Sequence, residues 1–283
     1  MRLKLLAFFL LLVAAAFIVK VASTKKPQVK EPFSVHTYSY PGLLLSFPGL
    51  REVVADALYM ETAVKVGNLP KEGLKEEEFK KLIENFRVIH RLDPYYFDPY
   101  YLEGAYLSWE ARSPELLEMI NRDLIEGMEF VKDWKLPFFV GFNYFYLMNE
   151  PVKGAEYLKI ASKMERAPYY LPFLVQRLYA KSGRYELAIA VTQEELKEVK
   201  DERLRKYLLQ RLDSLKKMLV IQKALERYRE LYGKCPENLE ELVKAGLLKS
   251  IPKDPTGGEY YVTEDCSVWT TSNLRSSTSP FAR

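Results

Sequence analysis

Apolar residues recur at spacings of three and four between residues 51 and 232, in runs that end near glycine or proline. One run places Phe79, Phe86 and Ile89 on a single helical face and ends at Asp93-Pro94. Because an α-helix turns once in about 3.6 residues, this spacing gathers the apolar side chains on one side, which must then be covered. The sequence therefore predicts a mainly α-helical chain whose helices bury their apolar faces against one another.

A short motif indicates how these helices pair. Residues 179–188 read Tyr-Ala-Lys-Ser-Gly-Arg-Tyr-Glu-Leu-Ala. This stretch resembles the central turn of a tetratricopeptide repeat. In that resemblance Tyr179 closes the first helix, Gly183 makes the turn, and Ala188 lets the second helix approach closely.

Similar spacing recurs along the chain. Three segments carry the repeat pattern, at about 51–94, 138–168 and 172–200, and residues 95–134 fit as a fourth helix pair. In the second segment Gly141 matches a first-helix position and Gly154 a second-helix position. One helix pair cannot bury its apolar face alone, so successive pairs must stack. The resemblance thus implies an α–α superhelix of tetratricopeptide-like hairpins over residues 51–200.

The resemblance also implies a binding face, because the first helices of such repeats line a concave groove. Aromatic and arginine side chains are the usual anchors of protein interfaces. The alternative is that most of these rings belong to the core, as aromatic residues at helical spacing usually do. The expected partner-binding groove consists of Phe139, Asn143, Tyr146, Tyr170, Phe173 and Arg177.

The first 50 residues predict a membrane-targeting segment and a tether. Arg2 and Lys4 precede an unbroken apolar run, Leu5–Val19, so residues 1–23 are expected to be a signal anchor or a cleaved signal peptide. A buried helix of the globular part is the alternative. Residues 24–50 contain four prolines and read as a tether. We expect a single-pass protein of a bacterial inner membrane with its main domain in the periplasm, or a periplasmic protein if the signal is cleaved.

The last 80 residues differ in character. Residues 201–232 predict one long helix that Gly233 ends. Residues 233–272 contain Ile251-Pro-Lys-Asp-Pro255-Thr-Gly followed by Tyr260-Tyr261-Val262, and from about residue 224 the order resembles the globular part of the major pseudopilin of type II secretion. A small α+β module is expected there. The calcium loop of that family is missing, so no metal is assigned, and residues 273–283 read as a disordered tail.

The two cysteines leave two interpretations open. Cys235 and Cys266 are the only cysteines in the chain. In an oxidising compartment they could form a disulfide. Two unrelated free thiols are the alternative.

Catalytic motifs are missing from the sequence. It has no glycine-rich phosphate loop, no His-x-x-x-His and no Cys-x-x-Cys, and its two histidines, His36 and His90, lack an obvious catalytic partner. His90 is expected to be structural. Glu103, Glu110 and Asp123 are the carboxylates that an enzyme would be expected to use first. A net charge of +4 from interleaved charges predicts no nucleic-acid partner, and no cofactor is expected.

The sequence thus favours a non-catalytic, membrane-tethered scaffold that binds a protein or peptide of the cell envelope. Assembly of a pilus or secretion apparatus is the role that the pseudopilin resemblance implies. The alternative is an envelope enzyme of the glycan-hydrolase type with the repeats as a substrate platform. A cleft with two carboxylates of shifted pKa would favour that enzyme. A self-associating structural protein is a third possibility, and the oligomeric state stays open.

Overall fold

A computed structural model describes residues 33–47 and 49–274 of the 283-residue chain. The chain divides into two units, residues 1–36 and 37–283, and every element below belongs to the second. The predicted targeting segment 1–23, residues 24–32 and 48 of the predicted tether, and residues 275–283 lie outside the described residues. Within the described ranges, no helix combines the length and the apolar character needed to cross a bilayer.

The second unit is mainly α-helical. Its first helices are α1 Tyr40–Ser46, α2 Arg51–Gly67, α3 Glu76–Leu92, α4 Phe97–Glu110, α5 Pro114–Gly127 and α6 Lys135–Leu147. The helices that follow are α7 Pro151–Ser162, α8 Leu171–Lys181, α9 Tyr185–Glu198, α10 Glu202–Tyr232 and α11 Glu240–Lys244. Two short strands, β1 Tyr260–Val262 and β2 Val268–Thr270, pair antiparallel.

Helix α1 lies inside the segment that the sequence predicts to be an extended tether. Ser39 caps it, since its hydroxyl oxygen accepts a hydrogen bond from Gly42 N at 3.4 Å. Pro41 lies in the first turn, where backbone N–H groups have no partner within the helix. A proline there therefore costs no intrahelical hydrogen bond. The proline that suggested a tether therefore begins a helix instead.

Two helices contain a π-helical turn. In α4 the turn spans Glu103–Leu107, and in α6 it spans Asn143–Leu147. The two turns begin 40 residues apart, from 103 to 143. Such turns insert one extra residue into an α-helix and occur often at functional sites.

Successive helices pack against one another: α2 with α3, α6 with α7, α7 with α8, α8 with α9, and α9 with α10. Gly141 and Gly154 permit the contact between α6 and α7. A Cβ added at Gly154 would lie only 2.7 Å from the carbonyl oxygen of Gly141. The two glycines assigned from the sequence to a first and a second helix thus lie backbone to backbone.

The long helix α10 occupies the segment where one long helix is predicted. Asp201 caps it by accepting a hydrogen bond from Leu204 N at 2.7 Å. It ends at Gly233, whose φ of 68° is left-handed. The β-hairpin packs on it, and Tyr185 of α9 donates a hydrogen bond to Val268 O at 2.6 Å. The C-terminal module is therefore attached to both α9 and α10.

Asp254 joins the parts of this module. Its carboxylate accepts hydrogen bonds from Ser214 of α10 at 2.9 Å, from the Thr256 backbone N–H at 2.9 Å, and from the Thr270 hydroxyl of β2. Burial alone would raise the pKa of Asp254, but the hydrogen bonds outweigh it and hold the pKa below the ordinary 3.8. The Ile-Pro-Lys-Asp-Pro stretch thus has a structural role at Asp254.

Cys235 and Cys266 are joined by a disulfide, with Cα atoms 5.8 Å apart. The bond ties the end of α10 to the turn between β1 and β2. The predicted disordered tail, residues 273–283, is wrong for its first two residues, which belong to the folded module. Leu274 is fully buried, and its carbonyl oxygen accepts hydrogen bonds from Tyr207 Oη at 3.0 Å and from Arg211 at 3.0 Å.

Candidate functional site

Aromatic side chains of α4 and α6, three of them exposed and three half-buried, form one continuous cluster. The cluster, called the aromatic surface below, consists of Tyr101, Trp109, Phe138, Phe139, Phe142 and Tyr146. Each ring lies with its centroid between 5.2 and 6.1 Å from that of at least one other member. Trp109 is 55% exposed and Tyr146 is 59% exposed. Large apolar groups in contact with water are available for binding.

Gly104 and the π turn of α4 explain how the two helices come close enough. A Cβ added at Gly104 would lie 2.5 Å from Cδ2 of Phe139, so only glycine admits that ring. The turn beginning at Glu103 also changes the helical phase between Tyr101 and Trp109. The repeat resemblance assigned no residue of α4 to the groove, so the structure adds Tyr101 and Trp109 to it.

The groove residues expected from the sequence occupy different environments. Phe139 and Tyr146 belong to the aromatic surface. Asn143 is 1% exposed, and its amide donates hydrogen bonds to Ser108 Oγ at 3.0 Å and to Asn121 Oδ1 at 2.8 Å. The Asn143 side chain is therefore part of the interior between α4, α5 and α6.

The remaining three groove residues lie on α8. Tyr170, at its N-cap, is 44% exposed, whereas Phe173 and Arg177 are half-buried. The Phe173 ring lies 5.7 Å from the ring of Tyr207 of α10. Phe173 thus contributes to the α8–α10 contact as well as to the partly exposed side of α8.

A second feature is a cluster of buried charged side chains from α3, α4 and α5. The cluster, called the buried polar cluster below, consists of Arg87, His90, Glu103 and Asp123. Arg87 Nε donates to both carboxylate oxygens of Asp123, at 2.8 and 3.1 Å. His90 Nε2 lies 3.0 Å from Glu103 Oε2, and Glu103 is 0% exposed.

The carboxyl groups of Glu103 and Asp123 influence each other electrostatically, although Glu103 Oε1 has no hydrogen-bond partner among the described residues. Burial first, and then the negative charge of Asp123, raise the pKa of Glu103 well above its ordinary 4.5. Burial raises the pKa of Asp123 to about 6, although its hydrogen bond with Arg87 opposes the rise. Two neighbouring carboxyl groups cannot both ionise easily, so the neutral form is favoured at Glu103 and the charged form at Asp123, which pairs with Arg87.

His90 is neutral in this environment. Burial, followed by the positive charge of Arg87, lowers the pKa of its imidazole to about 3. The ring lies parallel to that of Tyr100, with centroids 3.7 Å apart and planes 3° apart. Gly127 makes room for Tyr100, since a Cβ added there would lie 2.5 Å from Cε1 of that ring.

A cavity of about 390 Å³ adjoins the buried polar cluster. Its wall includes Tyr40, His90, Arg91, Tyr100, Arg122, Asp123 and Phe130. Glu103 and Asp123 are two of the three carboxylates singled out from the sequence, whereas Glu110 is exposed at the end of α4. Nothing in the sequence singled out Arg87, because the ion pair joins residues 36 positions apart.

The described residues contain no group of three or more His, Cys, Asp or Glu side chains that could hold a metal ion. Comparison with known proteins gives no relative to set beside these two features. No protein family, no curated protein and no solved structure matches the chain.

Proposed function

We propose that this protein is a helical-repeat scaffold of the cell envelope that binds another envelope protein through the aromatic surface. The observation that carries the proposal is the exposure of Trp109 and Tyr146 in a cluster of six touching rings. Aromatic rings supply large contact areas at low conformational entropy, which is why they dominate binding hot spots. Their neighbours Phe138 and Phe139 are packed below, so the surface is held in place before a partner arrives.

Stacked helix pairs support the repeat architecture of the proposal. Each helix from α6 to α10 packs on the next, and Gly141 touches Gly154 as the repeat positions require. The π turns recur after 40 residues, a longer period than the 34 residues of tetratricopeptide repeats. A superhelix of tetratricopeptide-like hairpins, with local departures at α4 and α6, is the form that we propose.

The envelope location rests on two features of the chain. Arg2, Lys4 and the apolar run Leu5–Val19 have the composition of an export or anchor segment. The bonded pair Cys235–Cys266 fits an oxidising compartment, because disulfides are rare in the reducing cytosol. The pseudopilin-like module would then lie in the periplasm, where partners in pilus or secretion assembly are found.

The glycan-hydrolase alternative meets one of its two requirements. Glu103 and Asp123 have shifted pKa values beside a cavity, as such an enzyme needs. A glycosidase places its two carboxyl groups on either side of the bond to be cleaved, where both can reach the sugar. Glu103, by contrast, is fully buried. Partner binding is therefore the function that we favour.

Site-specific photocrosslinking in membranes tests the proposal. A photoreactive residue would replace Tyr106, which is 59% exposed and lies on α4 beside the aromatic surface. A matched probe would replace Tyr232, 54% exposed at the end of α10. We expect a discrete adduct with one envelope protein from position 106, and its loss in the variant Trp109→Ala/Tyr146→Ala.

Circular dichroism would establish that the double variant folds normally. The proposal fails if the same adduct forms equally from positions 106 and 232, or if it survives in the folded double variant. An adduct from position 232 alone would assign binding to the C-terminal module instead.

A further inference from the structure

The cavity beside the buried polar cluster has features that helix packing alone does not explain. A volume of about 390 Å³ lies within the range of small-molecule sites, roughly 300–1,000 Å³. Residues from α1, α3, α4 and α5 contribute to its wall, so the site exists only when these helices are assembled. Protein interiors are close-packed, so a space of this size is not expected if the side chains around it serve packing alone.

Three arginines, Arg87, Arg91 and Arg122, line this cavity with the carboxylates Asp123 and Glu126, so its wall has one more cation than anion. Arg87 is already committed to Asp123 and Glu84. Arg91 and Arg122, by contrast, form no ion pair within residues 33–47 and 49–274. A guanidinium group presents paired N–H donors that match a carboxylate in geometry and charge. The two arginines are therefore suited to hold an anionic group.

The other walls are rings. Tyr40 of α1, Tyr100 of α4 and Phe130, which follows α5, lie around the same space, together with Pro94. Tyr100 is locked between His90 and Gly127, so its position is fixed before any ligand binds. A planar ring fits between aromatic walls of this kind better than a compact tetrahedral anion does.

His90 contributes its ring to the wall, stacked on Tyr100. Its Nε2 atom is used by Glu103, and its Nδ1 atom is buried without a hydrogen-bond partner among the described residues. Because the Nδ1 atom exposes almost no surface, the polar contacts of an occupant fall to the arginines.

We propose that this cavity binds an aromatic carboxylate, with the carboxylate held by Arg91 and Arg122 and the ring lying among Tyr40, Tyr100 and Phe130. The site is separate from the aromatic surface of α4 and α6. Its occupant would bridge α1, α3 and α5. Binding would consequently stabilise the N-terminal part of the helical stack.

Calorimetric titration of the full chain in detergent with benzoate tests the proposal. Benzyl alcohol, which has the ring without the charge, and inorganic phosphate, which has the charge without the ring, are the matched probes. We expect heat of binding and a raised Tm with benzoate alone. The variant Arg91→Gln/Arg122→Gln should weaken benzoate binding at least about tenfold, which corresponds to about 1.4 kcal/mol.

A control variant tests whether a loss of benzoate binding is specific to Arg91 and Arg122. Arg203→Gln/Arg227→Gln removes two exposed arginines of α10 and should bind benzoate as the unchanged protein does. The proposal is overturned if benzoate shows no binding at about 10 mM, a range that detects millimolar affinity. It is equally overturned if the Arg91/Arg122 variant binds benzoate normally, or if phosphate binds and benzoate does not. None of these results bears on the crosslinking test of the aromatic surface.

Discussion

His90 Nε2 lies 3.0 Å from Glu103 Oε2 in the interior between α3 and α4, and neither group carries a charge at neutral pH. Glu103 keeps its proton because Asp123 next to it is the carboxylate that pairs with Arg87. The buried polar cluster thus contains one cation, one anion and two neutral groups. Such an arrangement avoids the large cost of burying an unpaired charge.

The raised pKa of Glu103 predicts that Glu103→Gln is tolerated. Glutamine has the shape of a protonated glutamic acid. Its side-chain amide can replace the carboxyl group beside His90 Nε2. We expect the free energy of unfolding, measured by urea denaturation at pH 7, to change by less than about 1 kcal/mol.

The substitution Asp123→Asn, in the residue beside Glu103 in the cluster, is expected to be the more damaging one. Asparagine has nearly the same shape, but it removes the buried carboxylate that pairs with Arg87 and leaves Arg87 only its exposed partner Glu84. Leaving a partly buried donor without its acceptor costs about 1–3 kcal/mol. If Glu103→Gln proves the more damaging of the two under the same conditions, the assignment of the proton to Glu103 is wrong.

The pH dependence of stability gives a second prediction for this cluster. His90 has a pKa lowered from 6.5 to about 3, so its contribution to stability is present above pH 6.5 and is lost as the pH falls. Asp123 has a pKa raised from 3.8 to about 6, so its contribution is present below pH 3.8 and is lost as the pH rises through 6. Between about pH 4 and 6 the two contributions oppose each other.

Removing His90 leaves the effect of Asp123 on the pH dependence of stability unopposed. In His90→Gln, the slope of unfolding free energy against pH between 4 and 6 should become more negative by about 1.4 kcal/mol per pH unit. Urea denaturation of both proteins at several pH values measures the difference, in which all other titrating groups cancel. An unchanged slope would mean that His90 is charged in the folded protein.

The contact between α6 and α7 predicts a strong effect of a single methyl group. In Gly154→Ala the new Cβ would meet the backbone oxygen of Gly141, which cannot turn aside as a side chain can. We expect a loss of about 1–3 kcal/mol in stability from this overpacking. Gly67→Ala is the matched control, because no atom lies within 4 Å of a Cβ added there. Thermal unfolding that is equal for both variants would exclude the close approach.

The disulfide predicts a redox-dependent stability. Cys235 and Cys266 are 31 positions apart, and closing a loop of that length stabilises a protein by about 3–4 kcal/mol. Cys235→Ser/Cys266→Ser should lose that amount in urea denaturation under oxidising conditions. A reducing agent should destabilise the unchanged protein by a similar amount and leave the double variant unaffected. Equal stability of both proteins without reductant would show that the thiols are not bonded.

Local sequence rules explain a good part of this chain. The spacing of Phe79, Phe86 and Ile89 predicts the buried face of α3, because a helix repeats every 3.6 residues whatever surrounds it. Gly233 ends α10, and the Asp254 carboxylate accepts a hydrogen bond from the Thr256 backbone N–H two positions later. Such features depend on backbone geometry over a few residues, and the sequence displays them directly.

Tertiary structure alone decided the two candidate sites. Trp109 joins the aromatic surface through the packing of α4 on α6, which brings it to Phe142 and Tyr146. Glu103 and Asp123 stand 20 positions apart on different helices, so only packing shows that they influence each other's pKa and that His90 lies beside them. The sequence set which faces are apolar, whereas the pKa of each buried group depends on the neighbours that assembly of α3, α4 and α5 supplies.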